Sequence, residues 1–356
     1  KMKSVEKVSV VECKTYNQKE VDKAVEKSLS LIDFKFKKGM KVLIKPNVVG
    51  SFPKKQIATT TNPAVIESVC KILKKNKCKI FIGDSPFTNA ECSFKASGIE
   101  KVAKKYGKLI IFEQEKLIKI KDKKAKILKE FEIAKIIKEV DLIINMPKLK
   151  THVLTKFTGS VKNLYGCIPG GMKQKIHLKA KGDKKFSQIL VDIYQNIKPK
   201  LTIMDAVIGM DGEGPTSGNP KKVGLILASK NGIALDIAST KMIGLNPKKV
   251  YVIKESIKRK LYPNYNFQLV GLNKLPKLNL EIPHEAKKTQ KMLNQLGKYK
   301  PIVADEKKCV KCGMCAKHCP TKSITLSPYP IVNKKTCIRC FCCIEICPQD
   351  AMMIEK

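Results

Sequence analysis

Tryptophan is absent from the 356 residues, arginine occurs only as Arg259 and Arg339, and aromatic residues make up 6% of the chain. These shortages weigh against nucleic-acid recognition, which reads bases with bidentate guanidinium groups and grips single strands with stacking rings. The charge alone points the other way: 71 Lys and Arg against 31 Asp and Glu give a formal +40. Near-exclusive lysine usage, however, also arises from the compositional bias of a genome. A dedicated nucleic-acid role is therefore disfavoured, while acidic protein partners and anionic small molecules suit so basic a surface. Long apolar runs are missing too. Nothing approaches the ~20 residues that span a bilayer. Lys1 to Lys14 alternate charge with valine instead of forming the apolar region of a signal peptide. The expectation is a protein with no membrane span, located in the cytoplasm. With 43% hydrophobic and 29% charged residues, the chain can bury a sizeable core and is not of disordered composition.

What is present alternates. Short apolar segments at Val8 to Glu12, Lys41 to Lys45, Lys79 to Ile82, Leu109 to Phe112, Leu142 to Asn145, Leu201 to Met204 and Val223 to Leu227 read as strands. Between many of them run segments of helical periodicity: Glu20 to Leu31, Pro63 to Leu73, Glu91 to Lys105, Phe186 to Ile197 and Ile233 to Ile243. The pattern predicts an α/β domain with a mostly parallel, doubly wound sheet over 1–283. In such sheets ligands bind beyond the carboxyl ends of the strands. Lys45-Pro46-Asn47, Gly83-Asp84-Ser85-Pro86, Asn145-Met146-Pro147-Lys148 and Asp205 each follow a strand. A Lys- and Gln-rich segment over 284–300 reads as a helical linker, and a small α+β domain is expected over 301–356.

Cysteine makes the second domain specific. Nine of the 14 cysteines fall in the last 48 residues, while Cys13, Cys70, Cys78, Cys92 and Cys167 are scattered. In a reducing compartment thiolates persist as metal ligands, not as disulfides. Cys309-x2-Cys312-x2-Cys315-x3-Cys319-Pro320 recurs 28 residues later as Cys337-x2-Cys340-x2-Cys343-x3-Cys347-Pro348. Structural zinc normally uses two spaced pairs, not two runs of four with trailing prolines. The segment from Ile302 to about Ile354 resembles the bacterial two-cluster ferredoxins. That resemblance implies two 4Fe-4S clusters with crossed ligation: Cys309, Cys312, Cys315 and Cys347 on one, Cys337, Cys340, Cys343 and Cys319 on the other. Cys342 falls outside the ligand spacing and is expected to be a free thiol. The resemblance further implies low-potential one-electron transfer and a redox partner protein.

Within Lys41 to Gly244, four segments resemble the family known as domain of unknown function 362: Val42 to Asn47, Ile144 to His152, Thr158 to Gly170 with Lys173 and His177, and Asp205 to Pro215. The family name implies no activity. Lys148, His152, Lys162 and His177 lie within 30 residues among several glycines, and two of only four histidines sit here. They are the candidate catalytic residues. Lys45, Asn47, Asn163, Lys173 and Asp205 are candidates for holding a cofactor or anion. The competing explanations are chance lysine density and structural histidines. Cys167 is either a thiolate or a small buried residue. Asp205 and Asp236 either face the site or, for Asp205, cap a helix. Gly209 to Gly218 has the glycines of an anion nest without a P-loop or dinucleotide fingerprint, so neither ATP nor NAD is supported. Gly159 to His177 is also similar in residue order to the nickel-pincer lactate racemases, which would put Lys162 and His177 at a cofactor, although that family's other motifs are not evident.

These readings converge on an anaerobic-type iron–sulfur oxidoreductase. Its ferredoxin domain passes single electrons to or from an anionic substrate or cofactor at the strand ends of the large domain. The alternative is a non-catalytic electron carrier or assembly protein that docks a partner through that domain.

Overall fold

The computed structural model describes residues 5–51, 56–180, 182–283, 302–338 and 342–354. The linker expected over 284–300 and the ligand candidate Cys340 lie outside the described residues. Twelve strands come first: β1 (Lys7–Glu12), β2 (Lys41–Lys45), β3 (Lys79–Asp84), β4 (Lys108–Ile111), β5 (Leu117–Lys121), β6 (Glu130–Ala134), β7 (Leu142–Asn145), β8 (Lys148–His152), β9 (Lys156–Thr158), β10 (Leu201–Asp211), β11 (Asn219–Ser229) and β12 (Gln268–Val270). All but the β5–β6 hairpin join one sheet, in the order β12-β1-β11-β10-β7-β2-β3-β4, with β8 beside β10 and β9 beside β8. Pairing is parallel across β10-β7-β2-β3-β4 and between β1 and β12. It is antiparallel where β11 meets β1 and β10. The sheet is thus mostly parallel, with its antiparallel part where β10 turns directly into β11 through the glycine loop and no crossover helix intervenes.

Alternation along the strands builds two cores. Leu43, Phe81 and Ile143 point into one apolar layer, with Phe186, Leu190 and Ile237 from the helices Asp183–Ile197 and Gly232–Met242. Val42, Ile44, Ile80 and Ile144 point into the other, with Val25, Val69 and Val102 from the helices Gln18–Leu31, Pro63–Lys75 and Ile99–Tyr106. Both faces of the sheet are covered, as the near-continuous apolar strands require. The single helix expected from Glu91 to Lys105 is two helices, Ala90–Ala96 and Ile99–Tyr106. Gly98 sits between them at φ 76° in the left-handed region, where a residue with a side chain would be strained.

Tyr16 is tied to β8 and β10 by a buried ionic knot. Lys148 Nζ lies 2.7 Å from Asp205 Oδ2, both side chains fully buried. The Tyr16 hydroxyl donates to Asp205 Oδ1 at 2.9 Å, and Lys148 Nζ donates to the Tyr16 oxygen at 2.6 Å. Asp205 Oδ2 also accepts from the Asn62 N–H at 2.9 Å, just where the helix Pro63–Lys75 begins.

The C-terminal region is small and carries four more strands: β13 (Ile302–Ala304), β14 (Ile324–Leu326), β15 (Pro330–Val332) and β16 (Met352–Ile354). β13 pairs with β16, and β14 with β15, both antiparallel. Positions 28 apart play matching parts. Cys309 N–H donates to Asp305 O and Cys337 N–H to Asn333 O, each at 3.0 Å, while Asp305 N–H donates to Ala351 O and Asn333 N–H to Ser323 O. The first strand of one half therefore pairs with the last strand of the other, and the internal repeat forms one interlocked unit. Among the described residues no helix is long and apolar enough to cross a membrane.

Breaking the knot from one side should cost about 3–5 kcal/mol, because a buried ammonium then loses its counter-charge. Asp205→Ala is expected to lower the urea midpoint by a corresponding amount, and Lys148→Met combined with Asp205→Leu to restore much of it. A single variant as stable as the unaltered protein would show that the pair carries no such weight.

Candidate functional site

Beyond the ends of β2 and β3 and beside β8 lies a small cavity of about 50 Å³, lined by Lys45, Asn47, Asp84, Ser85, Lys150, Lys162, Asn163, Tyr165 and Lys173 among others. Four lysines face it against one carboxylate, Asp84. Lys45 and Asp84 form a buried ion pair at 2.8 Å. Asp84 further accepts from the N–H groups of Val48 and Ser85, each at 2.8 Å, so its charge is spent on the loops that shape the pocket. Gly166 packs directly over this pair: a Cβ there would collide with Asp84 Oδ1 and Lys45 Nζ. Lys150 donates to Thr59 O at 2.8 Å. Lys173, from the helix Met172–Ala180, is buried and donates to the carbonyl and, at 2.8 Å, to the hydroxyl of Ser85, two neutral oxygens. Burial lowers its pKa to about 8, against the pull of Asp84 and Glu113. A cationic, largely dehydrated pocket of this size suits a carboxylate, phosphate or sulfate group.

Five of the nine sequence candidates come together here: Lys45, Asn47, Lys162, Asn163 and Lys173. The other four are not among the lining residues. Lys148 and Asp205 are consumed by the knot with Tyr16. His152 is fully buried on β8, and its Nδ1 accepts from the N–H groups of Leu154 and Thr155 at 3.0 and 3.3 Å. His177 packs in an aromatic trio, stacked on Phe186 at 4.7 Å and edge-on to Tyr165 at 5.7 Å. Cys167 is buried and its thiol pKa is pushed up to about 12 by burial, the state of a packed thiol and not of a nucleophile. Asp236, buried, accepts from the N–H groups of Ser160 and Val161, at the start of the helix Ser160–Asn163. Asp84, Ser85 and Lys150 also line the pocket; the sequence marked Asp84 and Ser85 by their place at the end of β3, and Lys150 by the basic stretch it belongs to, without naming them as site residues.

In the C-terminal region Cys309, Cys312, Cys315 and Cys347 line one common cavity, with Met314 and Pro348. This is the crossed set of four that the ferredoxin resemblance implies. No three Cys, His, Asp or Glu side chains among the described residues gather tightly enough for a single metal ion. A cubane would take such a set of four thiolates, one on each iron. The two fourth cysteines accept matching amide bonds: Ser323 N–H to Cys319 Sγ at 3.2 Å and Ala351 N–H to Cys347 Sγ at 3.1 Å. Such donors stabilise a thiolate. Cys342, outside the spacing, is buried.

A third cavity, of about 470 Å³, lies between the two parts of the chain. Phe87, Asn89, Glu113, Gly170 and Lys173 line it from the large sheet's loops, and Met314, Lys317 and His318 from the C-terminal region. Lys173 and Phe87 also line the lysine pocket, and Met314 also lines the cysteine cavity. Val153, at the turn after β8, packs into the apolar core of the C-terminal region beside Ile302, Ile344 and Met352.

Comparison with known proteins adds names. The model of the domain of unknown function 362 matches residues 42–241, and that of a 4Fe-4S binding domain matches residues 302–325. A thylakoid-associated protein of Synechocystis sp. is 34% identical over 215 residues, which are 59% of this chain and 65% of that one. The lactate racemase apoprotein from Thermoanaerobacterium thermosaccharolyticum has a TM-score of 0.41 at 13% identity, covering 67% of this chain and 57% of that one.

The depressed Lys173 pKa sets two opposite pH dependences. Its folded value of about 8 lies below the ordinary 10.5, so between those pH values the unfolded chain binds more protons and folding stability rises with pH. Anion binding should move the other way, because the ammonium is lost. Sulfate affinity, measured by calorimetry, is expected to fall as pH passes through about 8, and Lys173→Met to remove that step. A pH-independent affinity in the unaltered protein would contradict a role for Lys173 in holding the anion.

Proposed function

Because the chain belongs to the domain of unknown function 362 family and joins it to a 4Fe-4S binding domain, we propose that it is an iron–sulfur redox protein serving a molecule bound at the strand ends. Single electrons pass between the C-terminal region and an anionic substrate or cofactor in the lysine pocket. The observation that carries this reading is the shared wall of the three cavities: Met314 borders the cysteine cavity and the intermediate one, and Lys173 borders the intermediate one and the lysine pocket. A molecule whose anionic group sits among the lysines extends toward Met314, the neighbour of Cys315.

The proposal includes two 4Fe-4S clusters, held by Cys309, Cys312, Cys315 and Cys347, and by Cys337, Cys340, Cys343 and Cys319. The matched hydrogen bonds of the two halves support the pair. When bound, such a cluster supplies one-electron transfer at low potential. The chain's own residues do the rest. Ser323 and Ala351 donate amides to the fourth thiolates, Lys45, Lys162 and Lys173 attract and orient the anion, and Phe87 and Met314 keep bulk water from the path between them. Cys312 is exposed, which offers a redox partner protein an approach to the cluster edge. A cytoplasmic location belongs to the same proposal.

One observation favours the second reading, a carrier that performs no chemistry. His152 and His177 are engaged in packing and backbone contacts, and among the described residues no imidazole lines the lysine pocket. The proposal therefore assigns the pocket to binding and electron exchange, and not to histidine acid–base catalysis.

Anaerobically prepared protein is expected to hold about eight iron and about eight sulfide per chain, with Cys342→Ser unchanged in iron content. Stoichiometric zinc in place of iron would end the cluster assignment. Sulfate added to the cluster-loaded protein should shift the reduction potential of the unaltered chain and leave that of Lys162→Met where it was. Bound sulfate with no shift would favour the carrier reading.

A further inference from the structure

Asn47 lines the lysine pocket and is 9% exposed. Its polar atoms can be followed one by one. The backbone N–H donates to Thr61 Oγ1 at 2.9 Å, and the carbonyl accepts from the Thr61 N–H at 3.0 Å. The side-chain Nδ2 donates to Asn163 Oδ1 at 2.9 Å. Oδ1 alone is buried without a partner among the described residues.

The orientation of that amide is fixed by a relay that ends on backbone carbonyls. Asn145 Nδ2 lies 2.8 Å from the Ser160 carbonyl, which has no proton to give, so this end of Asn145 must be the donor. Asn145 Oδ1 then faces Asn163 and accepts from its Nδ2 at 2.7 Å. The same Nδ2 is directed at the carbonyls of Lys45 and Pro46, at 3.4 and 3.3 Å. Asn163 Oδ1 is thereby left to accept from Asn47 Nδ2, and the oxygen of Asn47 keeps no hydrogen-bond partner among the described residues. Turning Asn47 over would place two oxygens against each other.

A pocket meant for a bare oxyanion needs donors only. This one presents a buried acceptor beside its lysines, and an acceptor repels an anion that has no proton to offer. We propose that the site takes an anion bearing a hydrogen-bond donor next to its charge: a carboxylate or phosphate ester carrying a neighbouring hydroxyl or amino group. The charge meets Lys45, Lys162 and Lys173, and the O–H or N–H meets Asn47 Oδ1. Selection follows because an analogue lacking the donor leaves Asn47 Oδ1 unmet and buried. The inference rests on the anion-binding role proposed above and narrows it to one chemical class.

Two matched ligand pairs test it on the full chain with its clusters loaded: 2-hydroxybutanoate against butanoate, and glycerol 3-phosphate against propyl phosphate, each titrated by calorimetry. The hydroxylated member of at least one pair should bind about tenfold tighter or better, and the pair that shows the preference tells carboxylate from phosphate. Asn47→Leu should abolish the preference, whereas Lys162→Met should weaken both members of the pair alike. Since Asn47→Leu also deprives Asn163 Oδ1 of its donor, the ligand pairs on the unaltered protein carry the test by themselves. Equal affinity within both pairs overturns the donor inference and leaves the anion role standing. Failure of all four ligands to bind removes the anion role as well.

Discussion

The ammonium of Lys173 lies out of water with two neutral oxygens of Ser85 as its contacts, and the loops at the strand ends are arranged around holding it there. A charge buried in this way is costly unless oxygen atoms surround it. Ser85 supplies them because Asp84, one residue earlier, is locked by Lys45 and by the amides of Val48 and Ser85. Gly166 lets the chain close over that lock. The neighbouring carboxylate is therefore already neutralised by Lys45. The same demand appears in the fall of the Lys173 pKa toward 8, which an anion in the pocket would oppose.

This arrangement gains meaning from what lies beside it. The helix Met314–Lys317 carries Cys315 on the side of the cysteine cavity and lends Met314 to the wall of the intermediate one. Val153 anchors the C-terminal region against the turn after β8, the strand that also bears Lys148, Lys150 and His152. The 4Fe-4S binding region and the lysine pocket are thus built onto adjoining parts of the chain. Each half of the C-terminal region completes the other's strand pair.

Much of the fold was legible because apolar strands buried on both faces, such as Val42 to Ile44, leave a continuous apolar signature. The antiparallel placement of β11 and the short strands β8 and β9 were not, since Lys148-Leu-Lys-Thr-His152 is polar by composition and becomes a strand only by pairing with β10 and β9. The β5–β6 hairpin carried a weak sign in the alternation Leu117-Ile-Lys-Ile-Lys121. At the site, Lys45, Asn47, Lys162, Asn163 and Lys173 could be found because they follow strands or crowd among glycines. Scarcity drew attention to His152 and His177, which are not among the lining residues of the lysine pocket: a histidine is rare here, yet a ring can serve as a backbone acceptor or a stacking partner, and sequence does not distinguish those uses. Lys148 and Asp205 were expected just beyond strand ends, but Lys148 opens β8 and Asp205 lies inside the longer β10, where Tyr16, 132 residues from Lys148, closes them into a structural knot that no local pattern announces.

In the proposed function the lysine pocket and the cysteine cavity serve one electron path. Pulsed electron–nuclear double resonance on the reduced, cluster-loaded protein with bound inorganic phosphate tests it directly, because the 31P coupling reports how near the anion lies to the paramagnetic iron. A resolved 31P coupling that disappears in Lys162→Met is the predicted result. Phosphate bound at full occupancy with no coupling to either cluster would contradict it.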